Sequence, residues 1–401
     1  MKKVIIYDAV RTARGRGKIY GKLHTSRPIH LSQTVLKAIQ ERNCLDTSYI
    51  NDVILGCVSQ VSEQGGCIAK SAALYAGYDE GVSGFTLNRF CGSGLEAINQ
   101  ASSSIMSGYY DLIVAGGVES MSRVPIGSDG GAWMIDPAVA SQTNFIPQGI
   151  SADLIATLDH FSRTDVDSFA VESQKKAAIA WSENRFNSII PVKDTNGVIL
   201  LDKDEHMRPE TSLESLNELR PSFYDMGTKY GFDEVAKLKY PQVENINHVH
   251  HAGNASGIVD GASVALLGSE EIGKNLGLKP RAIIKSFSMV SMHPTIMLTG
   301  PAPACEKALK VCGMNLADID LIEINEAFAS VVLHFIKEMN ADENKINVNG
   351  GAIAFGHPLG ATGAMLLGTV LDELERQDKE TGMITLCIGG GMGISTIIER
   401  I

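Results

Sequence analysis

The sequence lacks the long apolar runs and the positive charge that would point to a membrane or to nucleic acid. None of its apolar stretches is long enough to span a bilayer. Its 35 lysines and arginines are outnumbered by 46 aspartates and glutamates, which gives a net charge of −11. This balance argues against a general nucleic-acid or membrane-surface binder, although a local basic patch could still hold an anionic ligand.

Paired cysteines and nucleotide-binding signatures are also missing. The seven cysteines form no CxxC pair, so we expect reduced thiols in a cytoplasmic protein rather than a disulfide framework. Neither glycine run, at residues 127–131 and 389–393, ends in the Gly-Lys-Ser/Thr of a phosphate-binding loop. The second run also lacks the βαβ unit that would follow a dinucleotide fingerprint.

Short apolar runs alternate with stretches of helical periodicity in a globular composition of 44% hydrophobic and 20% charged residues. This alternation predicts a layered α/β fold. Strands are predicted at residues 53–55, 111–115, 321–324 and 383–387, and helices at 94–106 and 363–374.

The order of these elements occurs twice. A helix, a strand, a turn at Cys91, a second helix and a strand ending at residues 115–117 recur roughly 270 residues later around His357. We therefore predict an internal duplication. Residues 120–249 show helical spacing of apolar residues without the repeat, which predicts a large insertion. The predicted halves are 1–119 with 250–272, and 273–401.

Cys91 stands at a predicted strand-to-helix junction, between Phe90 and Gly92. The positive end of a helix dipole and exposed N–H groups favour the thiolate, so we predict that Cys91 is a nucleophile. The alternative is a buried structural cysteine. The cysteines without this glycine-rich setting are assigned structural roles: Cys44, Cys57, Cys67, Cys305 and Cys312.

Two further reactive side chains lie in glycine-rich turns. His357 occupies the turn equivalent to that of Cys91, and as a neutral imidazole it could take the proton of the thiol. Cys387 ends a predicted strand and could act as a general acid or base. The N–H groups of residues 389–391 could line an oxyanion hole. Each residue could instead be structural.

Other polar residues leave alternatives open. Asn325 could cap the next helix, or hold a water or an oxyanion, and Glu326 could be a solvated acid in the first turn. His248, His250 and His251 have no spaced carboxylate or cysteine partner, so we predict no metal site.

Taken together, several ordered motifs resemble those of thiolases, a family of acetyl-CoA acyltransferases. The motifs occupy residues 88–94, 115–122, 252–257, 325–328, 356–358 and 387–391. The resemblance implies a thiolase fold with duplicated βαβαβαββ halves in five α-β-α-β-α layers. It also implies that residues 120–249 form a loop domain covering CoA.

The resemblance further implies a role for each matching residue. Cys91 would carry the acyl group, His357 would activate it, and Cys387 would exchange a proton with the substrate carbanion. Asn325 would hold a water in one oxyanion hole, and the backbone N–H of Gly389 would contribute to a second. Residues expected to bind CoA or substrate are Ser256, Gly149, Phe328 and Arg220.

The implied reaction is ping-pong cleavage of a 3-ketoacyl-CoA by free CoA, or the reverse condensation of two acetyl-CoA. No permanently bound cofactor is expected, and CoA and acyl-CoA are substrates. Departures occur at Pro147-Gln148, where relatives often have His-Met, and at Met297-Leu298-Thr299. With the long insertion, these departures favour a β-oxidation enzyme.

The family resemblance implies a homodimer or homotetramer, with a β-oxidation multienzyme complex as a further possible partner. Alternative interpretations are a ketoacyl-synthase-like condensing enzyme, a non-catalytic lipid-binding relative and a hydrolase.

Overall fold

The computed structural model describes residues 2–401. The first part of the chain alternates strands and helices. Its elements are β1 (Val4–Thr12), β2 (Gly15–Arg16), α1 (Pro28–Arg42), β3 (Asp52–Gly56), α2 (Ile68–Ala76), β4 (Ser83–Leu87), α3 (Ser93–Ser107) and β5 (Leu112–Ser120).

Helices of various lengths and short strands fill the segment that follows. They are α4 (Ala132–Ile135), α5 (Pro137–Thr143), α6 (Gln148–Asp159), α7 (Arg163–Ser182), β6 (Ile189–Ile190), β7 (Val192–Lys193), β8 (Ile199–Leu201), α8 (Leu213–Asn217), α9 (Tyr224–Thr228) and α10 (Phe232–Lys239).

The last part of the chain returns to long strands and helices. They are β9 (Val259–Ser269), α11 (Glu270–Leu276), β10 (Ala282–Ser291), α12 (Pro301–Cys312), β11 (Leu321–Ile324), α13 (Ala329–Met339), α14 (Ala352–Phe355), α15 (Thr362–Gln377), β12 (Thr381–Ile388) and β13 (Met392–Arg400).

Two sheets of matching strand order build the body of the protein. One has the order β4-β3-β5-β9-β1 and the other β11-β12-β13-β10, and they join where β1 pairs with β10 at only two positions. Helices α3 and α15 fill the apolar core between the sheets. Helices α1 and α2 cover one outer face, and α12 and α13 cover the other. The result is five layers, as expected.

The duplication is confirmed, and the two halves also share irregularities in strand pairing. Strand β1 has a register shift between Ile6 and Asp8, and β10 has one between Ile284 and Ser286 at the equivalent place. One element differs between the halves. The counterpart of β4 is reduced to a single bridge between Ile346 and Ile322, so the second half departs from the βαβαβαββ expectation.

The predicted strand ending at residues 115–117 was too short. Strand β5 continues to Ser120 because residues 118–120 go on pairing with β9 after the pairing with β3 ends at Gly117. No helix in the described part of the chain is both long and apolar enough to cross a membrane.

A buried ion pair anchors the middle segment to the body of the protein. Arg11 on β1 donates two hydrogen bonds to Asp204, at 2.8 and 2.9 Å, and the Arg14 backbone N–H donates a third at 2.8 Å. Burial opposes ionisation of Asp204, but the two guanidinium groups and these hydrogen bonds keep its pKa below the usual value. The carboxylate is therefore charged at neutral pH.

Replacing Asp204 by alanine should lower the free energy of unfolding by about 3–5 kcal/mol, because two buried cations lose their counter-charge. Urea denaturation would measure this loss. Asp202→Ala is the matched control, since Asp202 is exposed two residues away. Equal stabilities of the two variants would contradict an anchoring role for the ion pair.

Candidate active site

Backbone contacts between glycines bring the turns of Cys91 and His357 together. A Cβ atom on Gly94 would lie 2.7 Å from the Gly360 carbonyl oxygen, and one on Gly363 would lie 2.2 Å from the Leu95 nitrogen. Only glycine allows backbones to approach so closely. The two helices that follow these turns, α3 and α15, therefore begin side by side, as the duplication predicts.

The turn that carries Cys91 is fixed by short polar contacts. Phe90 has a φ of 44°, a left-handed conformation that is costly for an aromatic residue. The Asn88 side chain accepts from the Phe90 N–H at 2.8 Å, and the Ser93 hydroxyl donates to the Phe90 carbonyl at 2.6 Å. These contacts hold the strained turn, and with it the position of the thiol.

Cys91 is deeply buried, and this changes the expected state of its thiol. Burial raises the pKa of Cys91 to about 11, although the N–H groups of Gly389 and Cys91 and the side chain of Gln148 oppose this shift. The sequence predicted a thiolate favoured by the helix dipole, whereas burial favours the neutral thiol. Desolvation outweighs the donors.

Hydrogen bonding determines which nitrogen of His357 carries the proton. Thr362 donates its only hydroxyl proton to the Pro358 carbonyl (2.9 Å), so it must accept from His357 Nδ1–H at 2.6 Å. Nε2 is then an acceptor, and it is buried without a hydrogen-bond partner among the described residues. Burial and the positive charge of Arg14 lower the pKa of His357 to about 3, so the imidazole is neutral at pH 7.

Cys387 lies at the end of β12, fully buried near Cys91. Burial, and next the charge that Cys91 would carry, raise the pKa of the Cys387 thiol. The chain then turns through Gly390 and Gly391, whose φ values of 80° and 91° favour glycine. Because the Gly389 N–H lowers the pKa of the Cys91 thiol, the predicted oxyanion donor lies beside Cys91.

Asn325 is not a helix cap. Helix α13 begins at Ala329, and neither amide atom of the buried Asn325 side chain has a partner among residues 2–401. Its amide therefore remains available to a ligand. The suggestion of a solvated Glu326 was also wrong, since this carboxylate is buried and accepts from the Ser173 hydroxyl (2.7 Å) and the Ile353 N–H (3.1 Å).

The loop of residues 252–257 adjoins the turn of His357, whose N–H donates to the Gly257 carbonyl at 2.9 Å. In this loop, the Ser256 N–H donates to the Ala327 carbonyl at 2.9 Å, next to Phe328. Phe328 belongs to the same apolar cluster as Cys387. The roles predicted for Ser256 and Phe328 in substrate binding are compatible with these positions.

The two other residues predicted to bind substrate lie in different surroundings. Gly149 faces Phe223, because a Cβ atom on this glycine would lie 2.2 Å from the ring. Phe223 in turn packs edge-on against Phe328 at 5.9 Å, so Gly149 contributes to the shape of this aromatic wall. Arg220 is exposed after α8, where its charge is open to solvent. The binding roles of both residues stay predictions.

The three histidines that resembled a metal site each contact a carboxylate distant in sequence. The Asp153 carboxylate forms hydrogen bonds with His250 Nδ1 (2.7 Å) and His248 Nδ1 (2.8 Å). The Asp167 carboxylate forms one with His251 Nε2 (2.9 Å). These carboxylates lie far away in the sequence, so sequence spacing could not indicate them. In the described residues, no group of three or more potential ligands is arranged for a metal ion.

Glu119 belongs to the motif of residues 115–122, but the sequence predicted no role for it. Glu119 is a buried carboxylate whose oxygens join the Cys91 half to the His357 turn. It accepts from the N–H groups of Val58 (2.9 Å), Ser59 (3.2 Å) and Gly360 (2.9 Å) and from the Gln64 amide (2.9 Å). These partners are scattered along the sequence, so the motif alone could not indicate them.

Comparison with known proteins gives consistent matches over the whole chain. The family profiles described as Thiolase, N-terminal domain and Thiolase, C-terminal domain match residues 4–231 and 278–400. The sequence is 39% identical to the 3-ketoacyl-CoA thiolase of Colwellia psychrerythraea and 41% identical to that of Shewanella loihica, covering 100% of each chain. The crystal structure of the Bacillus anthracis acetyl-CoA acetyltransferase matches with a TM-score of 0.86 and 34% identity, over 100% of this chain and 99% of that one.

Replacing Thr362 by valine should reduce activity by about tenfold to a hundredfold, because His357 loses the partner that fixes its tautomer. Steady-state turnover in a thioester assay would measure this effect. Thr369→Val is the matched control, since Thr369 lies on the same helix and donates to a main-chain carbonyl in the same way, at 2.9 Å. Equal activity of both variants would refute this role of Thr362.

Proposed function

The chain belongs to the thiolase family, and we propose that it cleaves 3-ketoacyl-CoA with free CoA through an acyl group on Cys91. The observation that carries this proposal is the combination of groups at one buried position. A thiol faces two backbone N–H donors, a neutral imidazole offers an unpartnered nitrogen in the adjoining turn, and a second thiol lies nearby.

In the first half-reaction, His357 Nε2 takes the proton of Cys91, and the sulfur attacks the 3-oxo carbon of the substrate. The bond between carbons 2 and 3 then breaks. Its electron pair remains on the acetyl-CoA carbanion, which takes a proton from Cys387. Acetyl-CoA leaves, and the shortened acyl group stays on Cys91 as a thioester.

In the second half-reaction, the thiol of free CoA loses its proton to the deprotonated Cys387. The CoA sulfur attacks the acyl thioester, and Cys91 leaves as the shortened acyl-CoA forms. Cys91 regains its proton from His357, so the enzyme returns to its starting state. In reverse, two acetyl-CoA give acetoacetyl-CoA and CoA.

Two oxyanion holes stabilise the negative charges that develop in these steps. The N–H groups of Cys91 and Gly389 stabilise the tetrahedral intermediate formed on the nucleophile. His357 and a water held by Asn325 stabilise the enolate oxygen of acetyl-CoA. The buried, unpartnered amide of Asn325 supports this assignment.

Binding of CoA is assigned to residues 120–249, which we take as the loop domain between the halves 1–119 with 250–272 and 273–401. Arg220 supplies an exposed cation for CoA phosphates. Ser256 and Phe328 contact the pantetheine and acyl parts, and Gly149 shapes the aromatic wall behind them.

We further propose a homodimer or homotetramer that acts in β-oxidation in the cytoplasm, where it could join a multienzyme partner. Strand β4 supports self-association, because it is the exposed edge of its sheet and presents Phe85, which is 41% exposed. The seven free cysteines support a reducing compartment.

An acetoacetyl-CoA cleavage assay tests the proposed reaction. We expect loss of the substrate absorbance only when free CoA is present, and we expect mass spectrometry after acetyl-CoA treatment to find acetyl on Cys91. Loss of the substrate absorbance without free CoA would indicate a hydrolase. An acetyl group on another residue would refute Cys91 as the nucleophile.

Replacing Cys387 by serine should slow acetoacetyl-CoA cleavage by about a hundredfold to ten-thousandfold, because the carbanion loses its proton donor. Acetylation of Cys91 by acetyl-CoA should be slowed much less, because a departing CoA thiolate needs a proton donor less than a carbanion does, and rapid quench with mass spectrometry separates the two steps. Cys305→Ser is the matched control, since Cys305 is equally buried but contacts Ser395 at 3.5 Å outside the site. If cleavage and acetylation slowed by the same factor, Cys387 would not act as the proton donor to the carbanion.

A further inference from the structure

His250 is a buried histidine that contacts the aromatic wall of the site but has no part in the mechanism above. Its side chain is closed to solvent, and its ring stands edge-on to that of Phe328, with centroids 5.5 Å apart and planes at 80°. Phe328 shares an apolar cluster with Cys387. The imidazole of His250 therefore borders the apolar cluster that surrounds the second thiol.

Asp153 fixes both the orientation and the tautomer of His250. Its Oδ1 atom accepts from the backbone N–H groups of Val249 and His250, at 3.0 Å each, and lies 2.7 Å from His250 Nδ1. Since this oxygen is an acceptor, Nδ1 carries the proton of the ring. The main chain is held as well, because the His250 carbonyl accepts from the Ser222 N–H at 2.9 Å.

The other ring nitrogen of His250, Nε2, is buried without a hydrogen-bond partner among residues 2–401. A proton on this nitrogen would be a buried donor with no acceptor, which is costly, so the ring is neutral and Nε2 offers a lone pair. Asn325 and His357, which the proposed function assigns to the substrate, also have buried unpaired atoms. An unpaired acceptor on an imidazole fixed in this way points to a ligand that supplies an N–H or O–H group.

The position proposed for pantetheine adjoins the same aromatic ring. Ala255 forms an antiparallel bridge with Phe328, and the Ser256 N–H donates to the Ala327 carbonyl at 2.9 Å. In acyl-CoA, the hydrogen-bond donor nearest the sulfur is the first amide N–H of the pantetheine arm, whereas the thioester carbonyl is only an acceptor. A single acceptor in an apolar wall suits this amide, because a few polar groups orient a ligand in such a pocket.

We propose that His250 is a further substrate-binding residue, whose Nε2 accepts a hydrogen bond from the pantetheine amide N–H nearest the sulfur. This amide does not react, so the bond contributes equally to the bound substrate and to the transition state. Its loss should therefore raise KM and leave the turnover number little changed. This inference rests on the proposed reaction and on the assignment of pantetheine to the loop of Ser256.

Two substitutions separate this role from a structural one. In His250→Asn, the side-chain amide can still donate to Asp153 from the place of Nδ1, but nothing replaces Nε2. In His250→Gln, the carbonyl oxygen can take the place of Nε2, but the bond to Asp153 is lost. We expect KM for acetoacetyl-CoA to rise about tenfold in His250→Asn and less in His250→Gln, with turnover numbers within about twofold of the wild type. Thermal denaturation should show the larger loss of stability in His250→Gln.

Two truncated substrates test the same bond from the side of the ligand. The acetoacetyl thioester of N-acetylcysteamine contains this amide, and that of 2-mercaptoethyl acetate has an ester oxygen in place of the N–H. With free CoA as the acceptor, the full-length wild-type enzyme should cleave the amide with about tenfold higher kcat/KM than the ester. In His250→Asn the two values should be equal.

His334→Asn is the matched control. His334 also contacts a carboxylate through Nδ1, 2.6 Å from Asp159, but it is partly exposed on α13 and outside the aromatic wall. Its replacement should leave KM and the preference for the amide substrate as in the wild type.

The outcomes separate this inference from the proposed function. Failure of the wild type to cleave acetoacetyl-CoA with free CoA would overturn the proposed function. If cleavage occurs, an unchanged KM in His250→Asn, or equal kcat/KM of the wild type for the two truncated substrates, would overturn only the role of His250. A larger rise of KM in His250→Gln than in His250→Asn would also overturn it, because His250 would then act only through Asp153.

Discussion

Close backbone contacts between glycines of the two halves are the constraint on which the active site depends. A Cβ atom on Gly117 would lie 1.9 Å from the Gly360 carbonyl oxygen, and one on Gly360 would lie 2.7 Å from the Gly56 carbonyl oxygen. The carboxylate of Glu119 closes the same junction by accepting from the Gly360 N–H. Because the two halves meet through backbone here, the helices carrying Cys91 and His357 at their starts cannot separate without exposing these contacts.

This close packing also determines the resting charge of the site. Burial raises the pKa of Cys91 to about 11 and, with Arg14, lowers that of His357 to about 3. Both groups are neutral at pH 7, so the free enzyme has a thiol and an imidazole rather than an ion pair. Proton transfer between them creates two charges in a desolvated site, and donors that act on the sulfur are needed to stabilise that state.

The sequence was sufficient for local and repeated features. Spacing predicted the duplication, and the glycine-rich settings indicated Cys91, His357 and Cys387 as candidates. Features that depend on tertiary contacts could not be predicted. The thiol pKa of Cys91 is set by desolvation, and the partners of Glu119 come from distant segments. Asn325 precedes a helix, but the chain makes a further turn before that helix begins at Ala329.

A buried ion network holds the inserted segment of residues 120–249 together. His248 places Nδ1 2.8 Å from Asp153 and Nε2 3.1 Å from Asp233, so both nitrogens must donate and the ring is an imidazolium. The two carboxylates accordingly raise its pKa despite burial. This ion network joins α6 to α10. A shift of α6 relative to α10 would leave buried charges unpaired, which is costly, so the network fixes these two helices against each other.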